Sequence, residues 1–309
     1  MAFQLKANES VGDGITRNVR RQIEKALQHL RAAATHQRGA AQNEAVREVR
    51  KCFKKVRAAL RLVREELGDE AYHEENWFFR DAARPLTQLR DAQVLVEILD
   101  KLKEPLASAV EPEALTKIHE ALLANQWEVT RRVVEENKAL AEIAAIARRS
   151  LARIAGWGIE LTDWATLGGG LKRVYRTGHR ALALASQDAS VENLHEWRKQ
   201  AMYLWHQLQL IEGVWMVGAK LQLVERIHQL STLLGENHDL AVFHTALAAD
   251  PSTFGGHRVL KAVFAITDRR RMELERQAFV LGRELYKDSP KLFTIHIEAL
   301  MSHEGPLEE

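Results

Sequence analysis

Arg47, Arg50, Lys54, Arg57, Arg61 and Arg64 advance by three and four residues, so all six lie on one face of a helix. A parallel apolar stripe runs one residue earlier: Val46, Val49, Phe53, Val56, Leu60 and Val63, ending at Leu67. One residue is about 100° around a helix axis, so one stripe can be buried while the other faces an anion. Like charges at this spacing repel by a few tenths of a kcal/mol per pair, a cost that an anionic ligand offsets. Arginine offers phosphate a planar fork of donors, and lysine adds a mobile point charge. The run Gly168-Gly-Gly170 before Leu171-Lys172 lacks the spacing of a phosphate-binding loop. A row several turns long instead suits a linear polyanion, whose binding releases counterions and weakens steeply with salt.

The row has a partner 148 residues on. Val46–Val63 reads VREVRKCFKKVRAALRLV and Leu194–Ile211 reads LHEWRKQAMYLWHQLQLI, with no gap. Arg50-Lys51 falls on Arg198-Lys199, Glu48 on Glu196, Leu60 on Leu208 and Leu62 on Leu210. The same offset carries Arg90-Asp91 onto His238-Asp239 and Val94 onto Val242, which indicates a twofold duplication rather than a solenoid. The copy is depleted: Met202 stands at the position of Lys54 and Trp205 at that of Arg57. Arg17, Arg21 and Lys25 step by four, as do Lys172, Arg176 and Arg180, so each half opens on a helix with its own basic stripe.

His195 falls where the first half has Arg47, and Arg198 and Lys199 beside it would repel a metal ion. A phosphate contact or a structural hydrogen bond suits His195 better than metal ligation. Asp91 and Asp239 read as partners of the basic helices rather than as an acid–base pair. Cys52 is the one cysteine, which excludes a disulfide framework and a cysteine-rich zinc site. The seven tryptophans are read as core or bundle-interface residues.

The elements that must position these residues are helices. Six prolines and 17 glycines are spread thinly, good helix formers dominate, and no run alternates like a strand. The expected class is all-α, with helices at about 12–37, 43–68, 71–103, 111–155, 170–187, 190–212, 215–249, 256–287 and 291–302. Pro85 should interrupt the third, and Ser190 should cap the sixth. Gly156-Trp-Gly158 and Gly168–Gly170 are expected to separate two four-helix bundles, 1–155 and 156–309, related by pseudo-twofold symmetry within one domain. A 46% hydrophobic content supports a real core. Net charge is only +2, from 44 Lys and Arg against 42 Asp and Glu, so attraction for anions must come from local segregation of charge. No signal peptide or membrane span is evident, and a cytoplasmic location is expected.

Arg47-x-x-Arg50-Lys51-x-x-Lys54-Lys55-x-Arg57, its partner His195-x-x-Arg198-Lys199, Arg90-Asp91-x-x-Val94, His238-Asp239-x-x-Val242 and Gly170-Leu171-x-Arg173-x-Tyr175-Arg176 together resemble CHAD, the conserved histidine α-helical domain. The resemblance runs from about Phe3 to Met301, and Leu281-Gly282-Arg283-Glu284-Leu285-Tyr286 with Pro290-x-x-Phe293 also fits. It implies two four-helix bundles with a basic surface or channel that binds inorganic polyphosphate, often at polyphosphate granules. It implies a stand-alone binding module, neither hydrolase nor polymerase, without metal or cofactor. Carried onto this chain, the binding residues are Arg17, Arg21, Lys25, Arg47, Arg50, Lys51, Lys54, Arg57, Arg61, Arg90, Lys172, Arg173, Arg176, Arg180, His195, Arg198, Lys199 and His238. Arg47 departs from the family's histidine, and Met202, Trp205 and His206 stand where Lys, Arg and Tyr are usual. The alternatives are a protein that binds nucleic acid or another polyanion, a protein-interaction scaffold, and, less favoured, a metal-dependent phosphohydrolase.

Overall fold

The computed structural model describes residues 2–6, 8–35, 39–154, 156–159, 164–214 and 220–301. All regular structure among them is helical. The first half comprises α1 (Val11–Thr35), α2 (Ala40–Leu62), α3 (Arg64–Leu67), α4 (Asp69–Ala82), α5 (Arg84–Lys101), α6 (Lys103–Ala107), α7 (Pro112–Thr130), a π-helical stretch (Arg131–Glu136) and α8 (Ala139–Ile154). The second comprises α9 (Trp164–Gln187), α10 (Val191–Ile211), a 3-10 turn (Glu212–Val214), α11 (Lys220–Ala249), α12 (Gly256–Leu285) and α13 (Pro290–Met301). The expected helix ends at 37, 155 and 302, and the expected start at 215, lie outside the described residues. No described helix is long and apolar enough to cross a membrane.

Local chemistry explains most breaks. Pro85 sits in the first turn of α5, where its missing N–H costs nothing, and the chain turns at Ala83 just before it. Ser190 caps α10, its hydroxyl accepting from the Asn193 N–H. The helix expected over 111–155 is divided by the π-helical stretch and by Lys138, at φ 50. The helix expected over 43–68 breaks at Val63, between α2 and α3.

Gly168–Gly170 does not separate the halves; it lies inside α9. The reason is proximity, not flexibility. A Cβ on Gly170 would stand 2.0 Å from the Leu62 carbonyl oxygen, so glycine is what lets α9 lie against the end of α2.

The cores do not follow the sequence division either. One buried cluster joins α1, α2, α4, α8 and the start of α5 to α9, α10, α13, the first half of α11 and the end of α12. A second joins α5, α6 and α7 to parts of α11 and α12. Where the halves meet, α2 packs on α10 and α5 on α11. Gln207 on α10 ties the first of these contacts by donating to the Ala58 carbonyl at 3.2 Å. Val49, Phe53, Val56 and Leu60 are all at most 1% exposed. Each contributes roughly 1.5–3 kcal/mol by leaving water, which fixes how α2 is rotated.

Gly170→Ala is expected to lower the free energy of unfolding by about 3 kcal/mol, because backbone rather than a flexible side chain must yield. Urea denaturation followed by circular dichroism measures this, and an unchanged midpoint would show that α9 does not need this approach to α2.

Candidate functional site

Burying the apolar stripe sets the basic row of α2 and α3 beside the core, with Arg50, Lys54, Arg57 and Arg61 at the seam between the halves. All six cations are half-buried, but they fall into two kinds. The end members are neutralised: Arg47 makes paired bonds to Glu44 at 2.8 and 2.9 Å, and Arg64 bonds Asp69 at 2.8 Å. The four between them have no carboxylate within ion-pair distance among the described residues.

Their partners are neutral. Arg57 and Arg61 both donate to Asn76 Oδ1 on α4, at 3.1 and 2.9 Å. Arg61 also lies over the Tyr203 ring of α10, 3.9 Å from its centroid. Arg50 donates to the Thr87 hydroxyl on α5, which itself donates to the Ala83 carbonyl. Lys54 has no hydrogen bond or ion pair among the described residues. An amide and a hydroxyl hold these groups in place without cancelling their charge.

The surroundings of Lys54 add charge from every side. Arg50 comes from its own helix, Arg90 and Asp91 from α5, His195 and Arg198 from α10, and His238 and Asp239 from α11. Burial, then Arg198 and Arg50, push the Lys54 ammonium down to about 7. Burial and Arg198 likewise hold His195 below the usual imidazole range and His238 at about 3. The two rings meet across α10 and α11, Nδ1 to Nδ1, at 3.3 Å. That contact requires one nitrogen to donate and the other to accept, so the two rings cannot both be protonated while it holds. Asp91 and Asp239 are raised, by burial first and against the pull of Arg50 and Arg198. Asp239 stands 3.7 Å from Arg198, too far for a tight hydrogen bond. Cations therefore outnumber carboxylates around Lys54.

The remaining candidates are differently placed. Arg90 faces this cluster, but its fork is closed on Glu97 at 2.8 and 2.9 Å. Lys199 is held by Glu196 at 2.5 Å. On α1, Arg17 bonds Glu9 and the Gln4 carbonyl, and Lys25 reaches across to Glu48. Burial alone would raise the Glu48 carboxyl, but hydrogen bonds from Lys51 and Lys25 outweigh it and hold Glu48 at about 2. Arg21 is half-buried on the same helix. On α9, Arg173 is paired with Glu65, Lys172 is half-buried, and Arg176 and Arg180 are exposed. None of these α9 side chains hydrogen-bonds or ion-pairs with the group around Lys54.

Asn76, Thr87 and Tyr203 were missed in the sequence, because no charge or spacing marks a neutral side chain that orients an arginine. Tyr203 alone carried a signal, since it lies on the duplicated helix. Cys52 is buried and its thiol is pushed up to about 11, which suits a packed helix residue. No three described His, Cys, Asp or Glu side chains converge as metal ligands would.

The family model of the CHAD domain matches residues 21–248. Among solved structures, the crystal structure of the CHAD domain from the plant Ricinus communis is similar, with a TM-score of 0.57 and 15% identity. The match covers 93% of this chain and 95% of that one, and at such identity it shows the fold alone. Comparison with curated proteins gave no match.

Lys54→Met is expected to stabilise the fold by about 1 kcal/mol at neutral pH, because an unpaired cation is removed from among guanidinium groups. The folded pKa of about 7 lies below the ordinary lysine value of 10.5, so the gain is full below pH 7 and disappears by about pH 10.5. Urea midpoints of both proteins at pH 6 and pH 10 measure it; an equal difference at the two values would mean that Lys54 carries no such penalty.

Proposed function

The chain belongs to the CHAD domain family, and from that premise we propose that it binds inorganic polyphosphate without transforming it. The observation that carries the reading is the group of four α2 cations without a carboxylate partner among the described residues. A cation already closed on a carboxylate gains little from a phosphate, because an existing bond must break. Arg50, Lys54, Arg57 and Arg61 lose no ion pair, and they relieve mutual repulsion when an anion arrives. From Arg50 to Arg61 the row spans about 16 Å, the scale of several linked phosphates rather than one.

Asn76 and Tyr203 contribute by preorganisation. They hold two guanidinium forks before the ligand comes, so less side-chain entropy is lost on binding. The same arrangement favours polyphosphate over single-stranded nucleic acid. Tyr203 is buried and covered by Arg61, which leaves its ring without a free face for a base. The histidine pair, joined through its Nδ1 atoms, leaves the N–H of the accepting ring free to donate to a phosphate oxygen. We read the protein as a binding module of the cytoplasm, with polyphosphate granules as the setting in which such a ligand accumulates.

Arg57→Gln with Arg61→Gln is expected to weaken polyphosphate binding at least tenfold, since each charge-assisted bond contributes about 1.5–3 kcal/mol. Arg47→Gln with Lys25→Gln should change it less than twofold. Isothermal titration at several salt concentrations reads both effects. The slope of log affinity against log salt should be near −3 for the intact protein and shallower by about 1.5 in the Arg57/Arg61 variant. Equal losses in the two variants would remove the distinction between free and neutralised cations.

Asn76→Asp tests the neutral anchor by itself. A carboxylate there would close on Arg57 and Arg61 as an internal anion. Affinity should fall about tenfold while thermal stability holds or rises. Unaltered affinity would show that these two arginines do not meet the ligand.

A further inference from the structure

The seam is basic on one side and closed on the other. Positions 148 residues apart make the comparison direct. Where α2 has Lys54, Arg57 and Arg61, α10 has Met202, Trp205 and Gln209. Where α4 has Asn76, the oxygen that holds two arginines, α11 has Val224, buried at 9% exposure. Rings rather than cations stand on this side, and both Trp205 and His228 are half-buried. Trp205 stacks on His228 of α11, with centroids 4.0 Å apart and planes 13° from parallel. It also stacks on His206, at 4.3 Å and 29°. His206 is fully buried, and burial keeps its imidazole neutral. Lys55 lies near His206 but is turned onto the Phe3 ring at 5.0 Å. From residue 200 to 211, α10 carries no arginine or lysine.

A polyphosphate chain lying along Arg61, Arg57, Lys54 and Arg50 would therefore pass Arg198 and meet an uncharged aromatic wall. Continuing would mean stripping water from phosphates with nothing to replace it, which is far costlier than stopping. We propose, resting on the polyphosphate reading above, that the seam holds the end of a chain rather than its middle. The terminal phosphate sits among Lys54, Arg50 and Arg198, and the chain leaves past Arg57 and Arg61. Charge supports this direction. A terminal phosphate has one more ionisable oxygen than an internal one and carries close to −2 near pH 7, as a phosphate monoester does. The densest group of cations surrounds Lys54, where that extra charge would lie. Lys54, without a partner and half-buried, would take up a proton as the dianion enters.

The test uses the intact protein and linear polyphosphate in a short and a long form, each with free ends or with both ends blocked as alkyl phosphoramidates. Competition against a labelled short chain gives the affinities. End recognition predicts that blocked chains compete at least tenfold more weakly. It also predicts that short and long free chains compete equally when counted per chain. Equal competition by blocked and free chains, with potency following total phosphate, would overturn it. Absence of binding by every form would instead overturn the polyphosphate reading on which it rests. Met202→Lys with Trp205→Arg gives a second measurement. In a variant whose circular dichroism matches the parent, blocked chains should gain at least tenfold. A folded variant without that gain would show that Trp205 does not close the seam.

Discussion

Everything at this site follows from how tightly α2 is held. Its apolar stripe is wedged into the core, and the basic row lies one residue around the same helix. The helix cannot turn to put those cations into open water without exposing Val49, Phe53, Val56 and Leu60. Hydrophobic burial thus forces four charged groups into a half-buried seam. Seam and core are two faces of one constraint, and charge is retained where packing alone would favour an apolar side chain.

How the fold tolerates those charges matters as much as their presence. Carboxylates would be the stabilising answer, and elsewhere the chain uses them freely, as with Glu48 between Lys25 and Lys51 or Glu75 clasped by Arg153. In the seam the chain uses an amide, a hydroxyl and an aromatic face instead. Each satisfies hydrogen-bonding or packing needs while leaving the electrostatic field intact. The carboxylates that do enter, Asp91 and Asp239, are too few and too far to neutralise it.

Much of this was legible in the sequence, and the failures have physical causes. Helix identity and the basic row were readable because both depend on local periodicity. Neutralisation within a helix was also present in the sequence, since Glu44 precedes Arg47 by three residues and Glu48 precedes Lys51 by three. Neutralisation across helices was not: nothing local connects Glu9 to Arg17, Glu48 to Lys25 or Glu65 to Arg173 in a bond. His195 and His238 could each be singled out, but their meeting at 3.3 Å depends on how α10 packs on α11. The glycine run was misread because glycine serves two opposite ends, loosening a loop or admitting a neighbour, and only the position of Leu62 decides between them.

The two faces of the seam serve as each other's control. At positions 148 residues apart, all of them helical, the chain carries lysine and methionine, arginine and tryptophan, asparagine and valine. Backbone geometry therefore does not dictate charge there. On the α10 side the positions have gone to stacking, with Trp205 on His228, and their side chains contribute packing. On the α2 side they hold cations whose repulsion opposes folding. One side carries cations and the other does not, and that asymmetry is what the proposed recognition of a chain end would use.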